Sequence, residues 1–427
     1  MTLETTEPGQ ALADDGLGPA APVAAWRRPF LIAAIFSGNV ACSLLYDALP
    51  PILAPLANHY GGGQHGEFIA QLASTLPFFG VMLSGLVAGL MIERQGLRTA
   101  LFVSLIVFAV TGSAGLVLDN PWGLLATRMV MGFSNGVMQT CCTSLIALHY
   151  TGAGRARMNG LLITVGSVSG FTFVLIAGQM AAHFSWRGPF ALHGLMAVLF
   201  AAPVLLMGQA RRVRATGHGA WANLVRLRPV LPAYLLCVAI YILLVMFNVQ
   251  LAFVLAASGF AAPVVVANIF ALVAGVIAVV SFFYGKIAAR FAMGPTLTLV
   301  FLGMAAALTL TGSASTLPVF VCAVLVNGLA VGVGLPALWT YAMRLSPPDL
   351  VPRALGLVAT SLYLGGTLSP IVLAPVRTLA GLRGQFFVVA AIVVIAVVLL
   401  QLRRWLPGAA PAVAHGETPE AVAPPAE

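Results

Sequence analysis

Twelve stretches of this chain are too long and too apolar to belong to a water-soluble fold. They run at about 29–57, 66–91, 98–118, 122–149, 158–182, 188–209, 229–258, 262–290, 295–314, 317–344, 353–376 and 383–405, and a bilayer-crossing helix needs about 20 apolar residues. Only 8% of the 427 residues are charged while 60% are hydrophobic, against roughly 25% charged in a soluble domain. A membrane β-barrel would instead need alternating strands of about ten residues. The expected fold is therefore an all-α membrane protein with twelve transmembrane helices.

The sparse charges test that count. The formal net charge is +9, from 21 Lys and Arg against 12 Asp and Glu. With the N-terminus inside, seventeen of the basic residues, from Arg27 and Arg28 through Arg94, Arg98, Arg155 and Arg157 to Arg403 and Arg404, fall on the cytoplasmic side. Arg187, Arg377 and Arg383 fall on the other side, and Arg128 lies within a helix. A merged or split helix would scramble this pattern, so the positive-inside rule favours twelve spans with both termini cytoplasmic. A bacterial inner membrane is the expected location. The basic excess forms no patch interleaved with aromatic residues, so no nucleic-acid partner is expected. Cys42, Cys141, Cys142, Cys237 and Cys322 all lie in apolar runs without metal-ligand spacing to His, and they read as small buried hydrophobes. Neither a phosphate-binding loop nor a nucleophile–base pair appears, so no cofactor, metal or enzymatic activity is expected.

The chain is also a duplication. At a constant offset of 196 residues, Gly89 matches Gly285, Arg94 matches Arg290, Gly132 matches Gly328 and Gly136 matches Gly332. The same register pairs Arg157 with Arg353, Gly160 with Gly356, Gly170 with Gly366, and Arg187-Gly188-x-Phe190 with Arg383-Gly384-x-Phe386. The halves divide into a six-helix bundle at 27–209, a basic cytoplasmic linker at 210–228 and a second bundle at 229–405, with disordered cytoplasmic tails at 1–26 and 406–427. Two pseudo-symmetric six-helix bundles suit a transporter that rocks about a midplane site. The charges break the symmetry, since Asp47 corresponds to Leu243 and Arg128 to Val324.

Two motifs carry a family resemblance. The loop Gly89-Leu-Met-Ile-Glu93-Arg94-Gln95-Gly96-Leu97-Arg98 resembles the signature loop of the major facilitator superfamily, with Glu93 where that pattern usually has Asp. Arg128-x-x-x-Gly132-x-x-x-Gly136 looks like the fourth-helix motif of its proton-coupled members. The likeness covers residues 27–405 and departs in the fifth helix, where Gly166, Gly170 and Gly178 lack the proline usual in antiporters. The resemblance implies the major facilitator fold and a conformational lock formed by Gly89, Glu93, Arg94, Gly96 and Arg98.

An intramembrane carboxylate is costly enough to mark a functional site. Asp47 lies about 27 Å along helix 1 from Pro29, and Arg128 about 9 Å down helix 4 from Trp122. Both sit in the outer half at comparable depth, on helices that neighbour each other in the family fold. The expectation is that Asp47 carries a coupling proton and Arg128 modulates it, the alternative being a static ion pair. Asn39, Tyr46, Gln139, Tyr241, Asn248 and Trp339 are the candidate lining of a substrate cavity, because aromatic walls with few charges suit amphipathic organic molecules. The function expected is proton-coupled efflux of small organic compounds, such as drugs or amphipathic metabolites including siderophores, by a monomer in the lipid bilayer. Proton-coupled uptake of an organic acid or similar nutrient is the alternative.

Overall fold

The computed structural model describes residues 24–208, 226–347 and 350–405, and among them all regular structure is helical. The expected tails and linker lie outside the described residues, except for 24–26 and 226–228. The first half contains α1 (Arg28–Asp47), α2 (Leu53–His59), α3 (Gly63–Gln95), α4 (Leu97–Ser113), α5 (Pro121–His149), α6 (Gly152–His183) and α7 (Ala191–Leu206). The second contains α8 (Leu231–Ala257), α9 (Pro263–Arg290), α10 (Met293–Ser313), α11 (Leu317–Leu345) and α12 (Val351–Trp405).

Two departures from the expected spans have simple causes. Expected helix 1 is broken into α1 and α2 around a 3-10 turn at Pro50–Ile52. Pro50 and Pro51 have no amide N–H, so the helical donors for the carbonyls of Tyr46 and Asp47 are missing. Conversely, α12 is two crossings joined end to end and bent at Gly381, whose φ of 73° only glycine adopts readily. With those two allowances, the twelve spans are present. Among the described residues, ten continuous helical stretches are long and apolar enough to cross a membrane. The remaining long helix, α5, falls short of that apolarity because it carries Arg128, Asn135, Gln139 and a run of Ser and Thr.

Glycine decides how the helices approach. Lipid gives apolar helices no hydrophobic reason to associate, so small residues that let backbones meet become the contact points. A Cβ on Gly132 would fall within the Pro77 backbone of α3, and one on Gly136 would meet Ser84 and the Val81 carbonyl. The second half repeats this: Gly328 faces Val276 and the Val273 carbonyl, and Gly332 faces Val280 and the Ile277 carbonyl. Each of these partners lies 196 residues after its counterpart at 80, 77, 84 and 81. The register extends to hydrogen bonds. Arg187 donates to the carbonyls of Leu116 and Leu118 (both 3.3 Å), and Arg383 donates to those of Gly312 (3.4 Å) and Ala314 (2.6 Å).

Among the described residues, the halves pack together toward one end of the bundles. There, α6 packs on α9 and α3 on α12, with Gly178 against Pro263 and Ala267. One continuous core joins Leu49, Ile52, Leu53 and Leu56 of the first half to Val249, Leu251, Phe253 and Leu255 of the second. At the opposite end, Gly89, Gly160, Gly285 and Gly356 face open space. Among the described residues, the molecule is closed at the end of Glu67 and open at the end of Arg94.

Gly132→Val should therefore push α3 and α5 apart and cost about 1–3 kcal/mol, the usual penalty of overpacking. Thermal unfolding in detergent should show a lowered midpoint. Gly85→Ala, made where nothing lies within 4 Å, should leave the midpoint unchanged or slightly raised.

Candidate functional site

Asp47 is the last residue of α1, immediately before the proline break. It ends a polar stripe at every fourth residue, which a helix places on one face. Asn39 Nδ2 donates to the Leu162 carbonyl and Ser43 Oγ to the Gly166 carbonyl, each at 2.6 Å. Asp47 continues the register by facing Gly170, where a Cβ would collide with its carboxyl oxygen. The glycine run of α6 is thus the groove that receives the polar stripe of α1. Asp47 is half-buried and, among the described residues, takes no hydrogen-bond or ion-pair partner.

One residue before it, Tyr46 opens an aromatic cluster made by both halves. Its ring stacks on Phe78 at 4.5 Å. Phe78 meets Tyr241 edge-on at 5.6 Å and lies 6.3 Å from Tyr363. The Tyr363 hydroxyl donates to Gln139 Oε1 (3.4 Å), Gln139 Nε2 donates to Asn135 Oδ1 (2.9 Å), and Asn135 Nδ2 donates to the Gly38 carbonyl (3.2 Å). Helices α1, α3 and α5 of the first half and α8 and α12 of the second therefore converge here. Such a surface offers ring faces, hydroxyls and one carboxyl group to an organic molecule.

Arg128 is placed elsewhere. It is fully buried, with Nη1 3.7 Å from Met131 Sδ and the guanidinium 4.5 Å from the centre of the Phe190 ring. No ion pair joins it to Asp47 in this conformation. The helix register explains the separation. Asn135 of α5 sits against Gly38 of antiparallel α1, so two turns along, Arg128 comes level with Leu45. Asp47 is two residues further, about 200° around α1, and points to α6 instead.

The closed end is fastened by a third group. Arg377 of α12 forms an ion pair with Glu67 of α3 and also donates to Gln250 Oε1 of α8. Its guanidinium lies 5.5 Å from the Phe253 ring. This contact ties one helix of the first half to two of the second.

Comparison with known proteins decides the family. The model of the Major Facilitator Superfamily matches residues 35–370 and 262–424. The chain belongs to the major facilitator superfamily. Among its relatives, probable anion transporter 6 (chloroplastic) of Arabidopsis thaliana is 27% identical over 40% of this chain and 33% of its own length. Multidrug resistance protein MdtG of Serratia proteamaculans (strain 568) is 25% identical over 42% of this chain and 43% of its own. The chain thus spans less than half the length of these curated relatives. Two solved structures share the fold: the nucleoside transporter NupG, with a TM-score of 0.72 at 11% identity over 88% of this chain and 99% of that one, and the xylose transporter XylE from E. coli, inward open, with 0.68 at 12% over 88% and 95%. The protein is a multi-pass membrane protein of this superfamily.

Within the superfamily fold, three expected cavity residues, Tyr46, Gln139 and Tyr241, come together. Asn39 belongs to the α1–α6 stripe, Asn248 keeps a buried Oδ1 without a protein partner, and Trp339 packs half-buried against the core of the second half. Glu93, Arg94 and Arg98 of the signature loop take no ion-pair partner among the described residues, and Gly89 faces open space. Phe78, Tyr363 and the Glu67–Arg377 pair were not anticipated. The pair had a visible signal: opposite charges at the same ends of helices in opposite halves.

Glu67→Gln should loosen the closed end by about 1–3 kcal/mol, since it leaves a largely buried Arg377 without its counter-charge. Spin labels at Phe184→Cys and Ala262→Cys, in a variant without native cysteines, should show a broadened and lengthened distance distribution. An unchanged distribution would mean that packing alone holds that end shut.

Proposed function

We propose that this chain is a monomeric, proton-coupled secondary transporter that exports small organic compounds across a bacterial inner membrane, with both termini in the cytoplasm. The observation that carries the reading is Asp47, an unpartnered carboxyl group at a helix break, beside an aromatic cluster built by both halves. The distribution of Arg and Lys supports a cytoplasmic position for the open end, and so an inward-facing conformation. The match to MdtG, named as a multidrug resistance protein, supports export of organic molecules.

The chemistry follows from the α1–α6 register. Ser43 donates its hydroxyl hydrogen to the Gly166 carbonyl, and by the same register a protonated Asp47, which faces Gly170, would donate toward the Gly170 carbonyl. Once ionised, the carboxylate has only acceptors on that side and must turn to water or to a substrate donor in the cavity. An uncharged carboxyl group also crosses the apolar middle of the membrane at lower cost than a carboxylate. Proton and substrate thus compete for one group. Closure over a protonated Asp47 returns the empty carrier, and closure over substrate carries it outward. Glu67 and Arg377 part as the outer end opens, and the loop from Gly89 to Arg98 closes the cytoplasmic end.

Uptake of an organic acid has one observation in its favour, the uncompensated guanidinium of Arg128, together with a relative named as a probable anion transporter. Everted vesicles with an acidic lumen separate the two. Substrate accumulation inside means export by antiport, whereas accelerated loss of preloaded substrate means uptake by symport.

Asp47→Asn should abolish gradient-driven flux while the protein remains folded in the membrane and exchanges substrate down its own gradient. Uphill transport at wild-type rate in this variant would remove Asp47 from the coupling role.

A further inference from the structure

Arg128 poses a charge-balance problem that transport of a proton at Asp47 does not solve. Its side chain is 0% exposed, so the guanidinium does not snorkel to water. Nη1 has only the weak thioether of Met131 as an acceptor, and Nε and Nη2 have no protein partner. An uncompensated buried cation costs several kcal/mol. The acids of this half of the membrane are otherwise engaged or turned away. Glu67 pairs with Arg377, Asp119 pairs with Arg187 and lies 3.6 Å from His59, and Asp47 faces α6.

Two further buried polar atoms without a protein partner belong to residues near the guanidinium: the Tyr60 hydroxyl and His193 Nε2. Tyr60 and His193 are within electrostatic reach of Arg128. His193 Nδ1 lies 3.2 Å from the Phe190 carbonyl, which can only accept, so that nitrogen carries the hydrogen. Phe108 and Phe190 supply apolar walls. The duplicated half shows that packing does not need this polarity. At the same offset of 196, Arg128, Phe190 and His193 correspond to Val324, Phe386 and Val389, all buried. Tyr60 corresponds to Ala256.

We propose that the buried Arg128 guanidinium of the first half binds a small inorganic monoanion, chloride in the cell. The guanidinium N–H groups and the hydroxyl of Tyr60 would be its donors. An organic acid has no room toward α4, where a Cβ on Gly112, or on Gly115 just beyond the helix, would already overlap the rings of His193 and Phe190. The proposal is independent of the direction of transport and of Asp47.

The test is thermal unfolding of the full-length protein in nanodiscs, with chloride or bromide replaced by gluconate at constant ionic strength and pH. Halide should raise the midpoint saturably and gluconate should not. Arg128→Gln should abolish the halide shift, and Tyr60→Phe should weaken the apparent affinity roughly tenfold. If Arg128→Gln does not fold, Tyr60→Phe carries the test. Bromide-soaked crystals should show an anomalous peak beside Arg128 Nη2. Equal midpoints in halide and gluconate, unaltered halide affinity in Tyr60→Phe, or no bromide peak would each overturn the proposal.

Discussion

Backbone contact through glycine is the constraint on which the rest of this molecule depends. In hydrocarbon, a leucine gains little by leaving lipid for protein, and only close backbone approach and polar bonds hold helices together. Gly132 and Gly136 seat α5 on α3, and their copies seat α11 on α9. Gly166 and Gly170 open the groove of α6 to Asn39, Ser43 and Asp47 of α1. Two of the groups discussed above take their direction from these seams. The carboxyl group lies where α1 meets α6, and the guanidinium lies one turn beyond the glycine stripe of α5.

What was legible in the sequence was what depends on one dimension. Span length, loop charge and the 196-residue register all follow from position along the chain, and the register is exact enough to match individual carbonyl acceptors of Arg187 and Arg383. Position along a helix is likewise a function of residue count, and the Asn135–Gly38 contact brings Arg128 level with Leu45, two residues from Asp47. Rotation about the helix axis is not. A difference of two residues turns a side chain to the opposite face, and the pairing of Gly38 with Asn135 that fixes this rotation is a tertiary contact. The same reason hid Phe78 and Tyr363, two aromatic residues among many until the halves come together.

The duplication has a second use. Because both halves began as one unit, each position carries a built-in control for what the scaffold requires. Where the copies agree, as at Gly132 and Gly328, the residue serves architecture. Where they differ, as at Asp47 and Leu243 or Arg128 and Val324, the fold accepts an apolar side chain, and the charged one needs another explanation.

The four bare glycines at the open end carry a consequence of their own. The seam at the closed end joins α3 to α12 and α6 to α9. Gly89 and Gly356 lie on the other ends of the first pair, and Gly160 and Gly285 on the other ends of the second. The helices that now touch at one end are thus already cut to touch at the other, like a hinged jaw with teeth on both sides of its pivot. In the proposed transport cycle, a tilt of one half against the other would exchange one seam for the other.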